Sequence, residues 1–403
     1  MTRPVNPGPP RAGDPYGLGI VGSFLAPALA IVGLLIVAII TLNLLNGEVP
    51  LGLGRGPGGN GGTDDGPART PAPSNVVVVP EPPTEEPLFD GTMTYAKAGN
   101  IWVQTAEGAT QLTEGGTDSM PSWSPDGQWI YYINTKRQNG AWPVNGKRVH
   151  YDMQVPRLMR IRADGSAAPE QLESGRFKLD DLTWYSWLRQ PVPSPNGRTI
   201  AIISDQPRPD RSDAVVQLYN VETGKFRTPD LPVTSPLGHQ DPAWRPDGRL
   251  LLFVRNDREG SQGAPVIYRY DLDEQASRAL TSPGYLEPSY SPDGRFVAAT
   301  RQTTIGTDVV ILDGRSGSEL LRVTTDGRSW GPKWSPAGDG IAFLNINGQS
   351  ADLRLARLGG TPGAWSVDEI VPLTDVSGLD AASKPDWYIP ADQLPSNSPS
   401  PAP

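Results

Sequence analysis

Six stretches of the sequence open on a proline and carry a short apolar strand into a turn of the Ser-Pro-Asp-Gly type, and together they predict an all-β fold, a six-bladed β-propeller of four-stranded blades. Two further observations support this. The opening prolines, Pro121, Pro191, Pro242, Pro288, Pro332 and Pro385, are separated by 70, 51, 46, 44 and 53 residues, mostly near the roughly 40–50 of one four-stranded blade. Gly (45 residues) and Pro (44 residues) are also too frequent in a chain of 403 for long helices to dominate it.

In chain order, residues 1–16 read as a cytoplasmic segment. From Gly17 to Leu45 run 29 residues without a charge, more than the roughly 20 a helix needs to cross a bilayer, so one transmembrane helix is expected before the propeller. A cleaved signal peptide is the alternative, with small residues at Ala26–Ala30 as the cut. It would leave 15 apolar-rich residues behind, and signal h-regions are only about 7–15 long. Arg3 and Arg11 precede the span and Glu48 follows it, which puts the N-terminus inside and the rest of the chain on the extracytoplasmic side of the cytoplasmic membrane. Residues 46–88 are a linker, with eight Gly and eight Pro between Gly52 and Pro87. The propeller is expected over residues 89–390 and a disordered tail over 391–403.

Each complete repeat has the chemistry of a tight hairpin. In PSWSPDGQWIYY from Pro121, PAWRPDGRLLLF from Pro242 and PSYSPDGRFVAA from Pro288, proline presets φ in the turn and glycine takes its left-handed position. Asp126, Asp247 and Asp293 are expected to cap turn amides. The copy from Pro191 has Pro193 for the aromatic and Asn196 for Asp, the copy from Pro332 has Ala337 in its turn, and the copy from Pro385 is truncated. These Trp-Ser-Pro-Asp-Gly hairpins resemble the TolB-type propeller repeat, also found in the propeller domains of prolyl-oligopeptidase-like proteins. The resemblance implies the six-bladed fold over about 300 residues. It does not imply a function, because proteins with this repeat do many things.

Strand bookkeeping predicts how the ring closes. The segment from Thr92 to Gly115 supplies a second, third and fourth strand without a first, whereas Pro385-Asp386-Trp387-Tyr388 is a first strand without partners. The two should complete one blade and leave no sheet edge open. Both chain ends then leave from the face of the Pro-Asp-Gly turns. The opposite face carries the irregular connections, where binding normally resides: 22 residues from Thr135 to Pro156, the aromatic stretch Gly175–Gln190, and shorter loops at Gln206–Asp213 and Asn256–Pro265.

Candidate binding residues follow from that geometry. Around the channel mouth, just ahead of the blade prolines, stand Asp118, Arg189, His239, Asp241, Glu287, Trp330 and Lys384, a mixture that suits a polar ligand or peptide. In the connections, Lys136, Arg137, Lys147 and Arg148 against Asp152 give a local charge of +3 in a chain of net charge −9. Trp142, Trp184, Tyr185 and Trp187 are the aromatic candidates there. Rim hydration and solvated loops are the competing structural readings.

Catalytic signals are weak. The absence of cysteine excludes disulfides, thiolate metal sites and cysteine nucleophiles. Gly327–Gly331 matches G-x-S-x-G without the strand-to-helix turn and histidine base that the motif requires. His239-Gln240-Asp241 reads as half of a triad or a metal pair, against the commoner reading of a loop hydrogen-bonding unit, and Asp271-Leu272-Asp273 lacks the rest of a calcium loop. No metal, cofactor or catalytic residue is expected, and net acidity argues against nucleic acid. The expected partners are the membrane, through residues 17–45, and a protein. The reading is a membrane-anchored extracytoplasmic propeller acting as a protein-binding or scaffold module, with a small-ligand sensor or propeller enzyme as the alternative.

Overall fold

The computed structural model describes residues 87–394, except 180, 210–211, 234–237, 257–264 and the side chains of 142–144. The expected transmembrane span over 17–45, the linker up to residue 86 and the tail from 395 lie outside the described residues. Among the described residues no helix is long and apolar enough to cross a membrane.

Six four-stranded antiparallel sheets surround a central channel. Five are consecutive in sequence. Their innermost strands are Asp118–Trp123 (blade 2), Leu188–Pro193 (blade 3), His239–Trp244 (blade 4), Tyr285–Tyr290 (blade 5) and Ser329–Trp334 (blade 6). Blade 1 is the composite one: Asp386–Tyr388 pairs antiparallel with Thr92–Lys97, in the register Thr92↔Tyr388, Met93↔Trp387, Thr94↔Asp386. Trp387 secures the seam by packing edge-on against Phe89, with ring centroids 5.9 Å apart, while its indole N–H donates to the Asp90 carbonyl at 2.8 Å. The expected ring closure is therefore present.

The second strands are apolar on both faces because every blade is packed between two others. In blade 4, Leu251 and Phe253 join Ile203 and Val216 of blade 3, whereas Leu252 and Val254 join Val297 and Val310 of blade 5. The turns follow the expected chemistry. Asp126, Asn196, Asp247 and Asp293 each accept the amide two residues on, at 3.0–3.1 Å. In the turn with Ala337, Asp339 takes over by accepting the Ser335 hydroxyl at 2.6 Å, so that blade keeps its hairpin.

A second repeated device was not anticipated. At the end of the outer strands Thr113, Thr281, Thr324 and Thr374 accept the amides of Ile101, Ile267, Val309 and Leu353 at 2.9–3.1 Å. Each threonine thus latches a fourth strand onto the start of its third.

The largest departure from expectation is at 135–156. Instead of a loop inserted between strands, the second and third strands of blade 2 continue as Trp129–Val144 and Lys147–Arg162, paired without interruption from Trp129↔Arg162 to Val144↔Lys147. The physical reason is alternation in Val149, Tyr151, Met153 and Val155, a period-2 pattern that sustains a ribbon past the blade. The stretch 175–190 likewise contains a small hairpin, Arg176–Leu179 paired with Leu182–Tyr185.

Candidate functional site: the belted channel mouth

The inner strands of blades 2 to 6 each carry a register shift at the same place, immediately before or across the blade proline. The residue ahead of that proline is left-handed in all five: Met120 (φ 55°), Gln190 (52°), Asp241 (53°), Glu287 (53°) and Gly331 (62°). Four non-glycine residues in that region cost on the order of 1–2 kcal/mol each, so something must hold them there.

What holds them is a belt of hydrogen bonds running from blade to blade. The Gln190 amide donates to Met120 Sδ at 3.3 Å, the Asp241 amide to Gln190 Oε1 at 2.9 Å, the Glu287 amide to Asp241 Oδ2 at 3.3 Å and the Gly331 amide to Glu287 Oε2 at 2.8 Å. Each blade's bulge amide is thus accepted by the bulge side chain of the preceding blade. Gly331 has no side chain to continue the series. Lys384, its counterpart in blade 1, instead reaches Asp241 Oδ1 at 3.4 Å, and Ser383 Oγ accepts the Met120 amide at 2.9 Å to rejoin the start.

Charge in the mouth is almost fully engaged. Glu287 also accepts the Thr300 hydroxyl at 2.6 Å. Burial first, and then the neighbouring Asp241 carboxylate, push its pKa above the ordinary glutamate value, against the pull of Lys384 and these donors. Deeper in the channel, Lys333 Nζ lies 2.5 Å from Asp386 Oδ1, and the other Asp386 oxygen accepts the Trp123 amide at 2.7 Å and the Ser122 hydroxyl at 3.1 Å. The channel itself is a cavity of about 250 Å³ walled by all six blade prolines.

The channel-mouth candidates separate by distance from the proline. Asp241, Glu287 and Lys384, directly ahead of it, converge in the belt. Arg189 and Trp330, two positions ahead, do not; Arg189 is exposed and the Trp330 indole donates to the Ala381 carbonyl at 2.9 Å. Asp118 and His239, three positions ahead, are buried in the blades. Asp118 accepts Asn134 Nδ2 at 2.6 Å. His239, at the start of blade 4's inner strand, does for blade 3 what the latch threonine does in other blades, with Nδ1 accepting the Val216 amide at 3.2 Å and Nε2 donating to the Pro232 carbonyl at 2.8 Å. Its pKa is pushed down to about 4, chiefly by burial, with Arg255 adding to the shift and the Pro232 carbonyl and Asp213 opposing it. The imidazole is neutral and structural. Met120, Gln190, Gly331 and Ser383 complete the belt and were not singled out from the sequence, although the position directly before each proline would have found the first three.

Among the loop candidates, Lys136, Arg137, Lys147 and Arg148 are exposed on the blade 2 ribbon, and Arg137 pairs with Asp152 at 2.8 Å. The Trp142 side chain lies outside the described residues. Trp184 is half-buried, donates to the Leu179 carbonyl at 3.2 Å and stacks under the Arg208 guanidinium. Tyr185 is half-buried on the same hairpin and Trp187 is 60% exposed. The G-x-S-x-G serine, Ser329, is fully buried, with its hydroxyl bonded to Asp326 and Asn345 at 3.0 Å. No cluster of three or more His, Asp or Glu that could hold a metal occurs among the described residues.

Blade count, four-stranded sheets and the seam between the first and last described strands decide the architecture. The fold is a TolB-like six-bladed β-propeller. The TolB structure from Acinetobacter baumannii superposes with a TM-score of 0.52 at 20% identity, covering 74% of this chain and 66% of that one. In sequence, the Tol-Pal system protein TolB of Francisella tularensis is 24% identical over 235 residues, 57% of this chain and 46% of that protein. An uncharacterized protein of Agrobacterium fabrum is 31% identical over 157 residues, 36% of this chain and 43% of its own length. The chain spans less than half the length of the curated relatives it matches. No protein-family model matches the TolB-like chain.

Proposed function

We propose that this chain is a protein-binding or scaffold module, held at the cytoplasmic membrane by residues 17–45 with its propeller outside, and that it meets its partner through the face opposite the Pro-Asp-Gly turns. The observation that carries this reading is the asymmetry of the two faces. One bears short turns closed by their own Ser and Asp or Asn side chains; the other bears the belted mouth, the ribbon from blade 2 and the aromatic hairpin. A rigid scaffold with irregular connections on a single face is the usual arrangement of a recognition surface. Mouth groups that are engaged with one another suit rigid display of a surface more than acid–base chemistry. The Tol-Pal assignment of the Francisella relative agrees with an extracytoplasmic binding role.

The test is a pull-down of the detergent-solubilised full chain from its native membrane, repeated with two variants. Replacing Lys136, Arg137, Lys147 and Arg148 with Ser, or Trp184 and Trp187 with Ala, should weaken capture while the melting temperature holds. If folded variants of the Pro-Asp-Gly turns lose the partner and these two keep it, the binding face is the other one. Orientation is tested separately: protease added to cells lacking an outer barrier should remove the propeller and spare a cytoplasmic marker.

A further inference from the structure

The ribbon of blade 2 outruns everything that pairs with it. On one side the last tie is the Thr135 amide to the Thr117 carbonyl at 2.9 Å; on the other it is the Gly175 amide to the Pro156 carbonyl at 2.8 Å. No strand among the described residues pairs with either outer edge beyond those points. Backbone groups of one parity point the same way along a strand. The ties at Thr135 and Pro156 therefore identify the outward residues: Arg137, Asn139 and Ala141 on the first strand, and Arg148, His150, Asp152 and Gln154 on the second. The ribbon extends roughly 30 Å past Thr135 at about 3.3 Å per residue.

Its two faces differ. Val149, Tyr151, Met153 and Val155 alternate on one, and Met153 Sδ occupies the space a side chain at Gly140 would take. Val155 is buried against the body, whereas Tyr151 remains 45% exposed. The other face carries the Arg137–Asp152 pair. Four cations against one carboxylate make the ribbon basic, and Lys147 and Arg148 are exposed at its tip. An open edge of this length normally invites pairing, and the edge of Lys147–Arg162 is the better donor because its four outward residues all keep an N–H, whereas Pro143 interrupts the other row.

We propose that this edge receives an extended acidic segment of a partner protein as an added strand, continuing the row that Glu170–Ser174 abandons at Gly175. Main-chain bonds to Arg148, His150, Asp152 and Gln154 hold the segment. Apolar side chains at alternate positions extend the Val149–Met153 face, and acidic ones, on the opposite face, meet Arg148, while Lys147 adds to the positive field at the tip. The inference rests on the protein-binding reading above and specifies the chemistry of the partner.

The probe is a synthetic peptide of about nine residues alternating Glu and Val, a length that spans the open edge. It is titrated into the full chain beside a copy N-methylated at alternate amides and a Lys/Val copy, with amide hydrogen exchange followed. Expected are protection confined to residues 147–155 and a loss of at least about tenfold in affinity for both control peptides and for the Lys147→Glu, Arg148→Glu variant. That variant should melt with the parent. Equal binding of the N-methylated peptide, protection elsewhere, or no binding of the Glu/Val peptide overturns strand addition. Self-association of the parent that the variant abolishes overturns it in favour of a second copy as occupant. If the variant still captures the native partner in the pull-down, the edge assignment is wrong and the protein-binding reading stands; if neither chain captures one, that reading fails first.

Discussion

Acidification should selectively unlatch blade 3. His239 accepts the Val216 amide only while Nδ1 is unprotonated, and its Nε2 proton is already committed to the Pro232 carbonyl. A group whose folded pKa is lowered adds stability above its unfolded value, and that stability is lost as pH falls toward the folded value. Here the window runs from the ordinary 6.5 down to about 4. The full difference corresponds to about 3 kcal/mol, and about 2 kcal/mol of it is lost between roughly pH 7.5 and pH 5. Many carboxylates also titrate near the lower end, so the informative quantity is a difference between proteins. Urea unfolding of the parent and of His239→Asn, which keeps an acceptor for Val216, would be measured at both pH values. The variant should start lower at the upper pH, having lost the Pro232 bond, and should fall by about 2 kcal/mol less on acidification. Equal falls would mean that His239 is solvated or already charged, and the latch argument would be refuted.

Three further outcomes follow from the packing. Glu287→Gln should flatten a stability loss that the parent suffers as pH rises from the free glutamate value through the raised one, because the amide keeps an acceptor for Gly331 and Thr300 without the buried charge; parallel pH profiles by thermal melting would contradict this. Ending the chain after Ala382 should cost about 3–5 kcal/mol or more by denaturant unfolding, since Trp387 and Ile389 are buried in the seam, whereas ending it after Leu394 should cost almost nothing; equal stabilities would remove the closure argument. Gly127→Ala should cost clearly more than Gly197→Ala in melting experiments, because both glycines are left-handed but only at Gly127 would the added methyl overlap the Tyr388 ring; equal costs would mean that Tyr388 does not cover that turn.

The architecture was legible because it is repetitive. Proline, the turn acceptor and the left-handed glycine recur at fixed offsets, and each answers a backbone requirement that any blade must meet. Even the seam could be read, since a first strand at Asp386 and a missing one before Thr92 are complementary deficits. The latch was also written in the sequence, as Leu-Thr or Val-Thr at Thr113, Thr281, Thr324 and Thr374. It went unread because a threonine after an apolar residue is common in any strand, and only the shared amide acceptor gives the four a common role. The substitution of His239 for that threonine is harder still. Nothing local distinguishes an imidazole that accepts a strand amide from one poised at a channel rim.

The site was less legible for a reason that bears on how propellers specify themselves. Residues in the belt are set by the bulge, which selects the single position ahead of each proline, so Arg189, one residue removed, points to solvent while Gln190 joins the ring. A one-residue error in a strand exchanges its two faces, and at a bulge it also exchanges a left-handed residue for an extended one. Chemistry alone favoured the charged or titratable side chains Asp118, Arg189 and His239 over Met120 and Gln190, yet geometry takes the methionine and the glutamine because their lengths span the gap to the next blade's amide. The same consideration explains why Gly331 is tolerated. With no side chain of its own to reach blade 1, it leaves room for Lys384, whose Cγ lies 3.3 Å from where a Gly331 Cβ would stand, to cross the mouth to Asp241. The one break in the series of neighbours is thus bridged across the channel, by the residue that the closing strand brings in last.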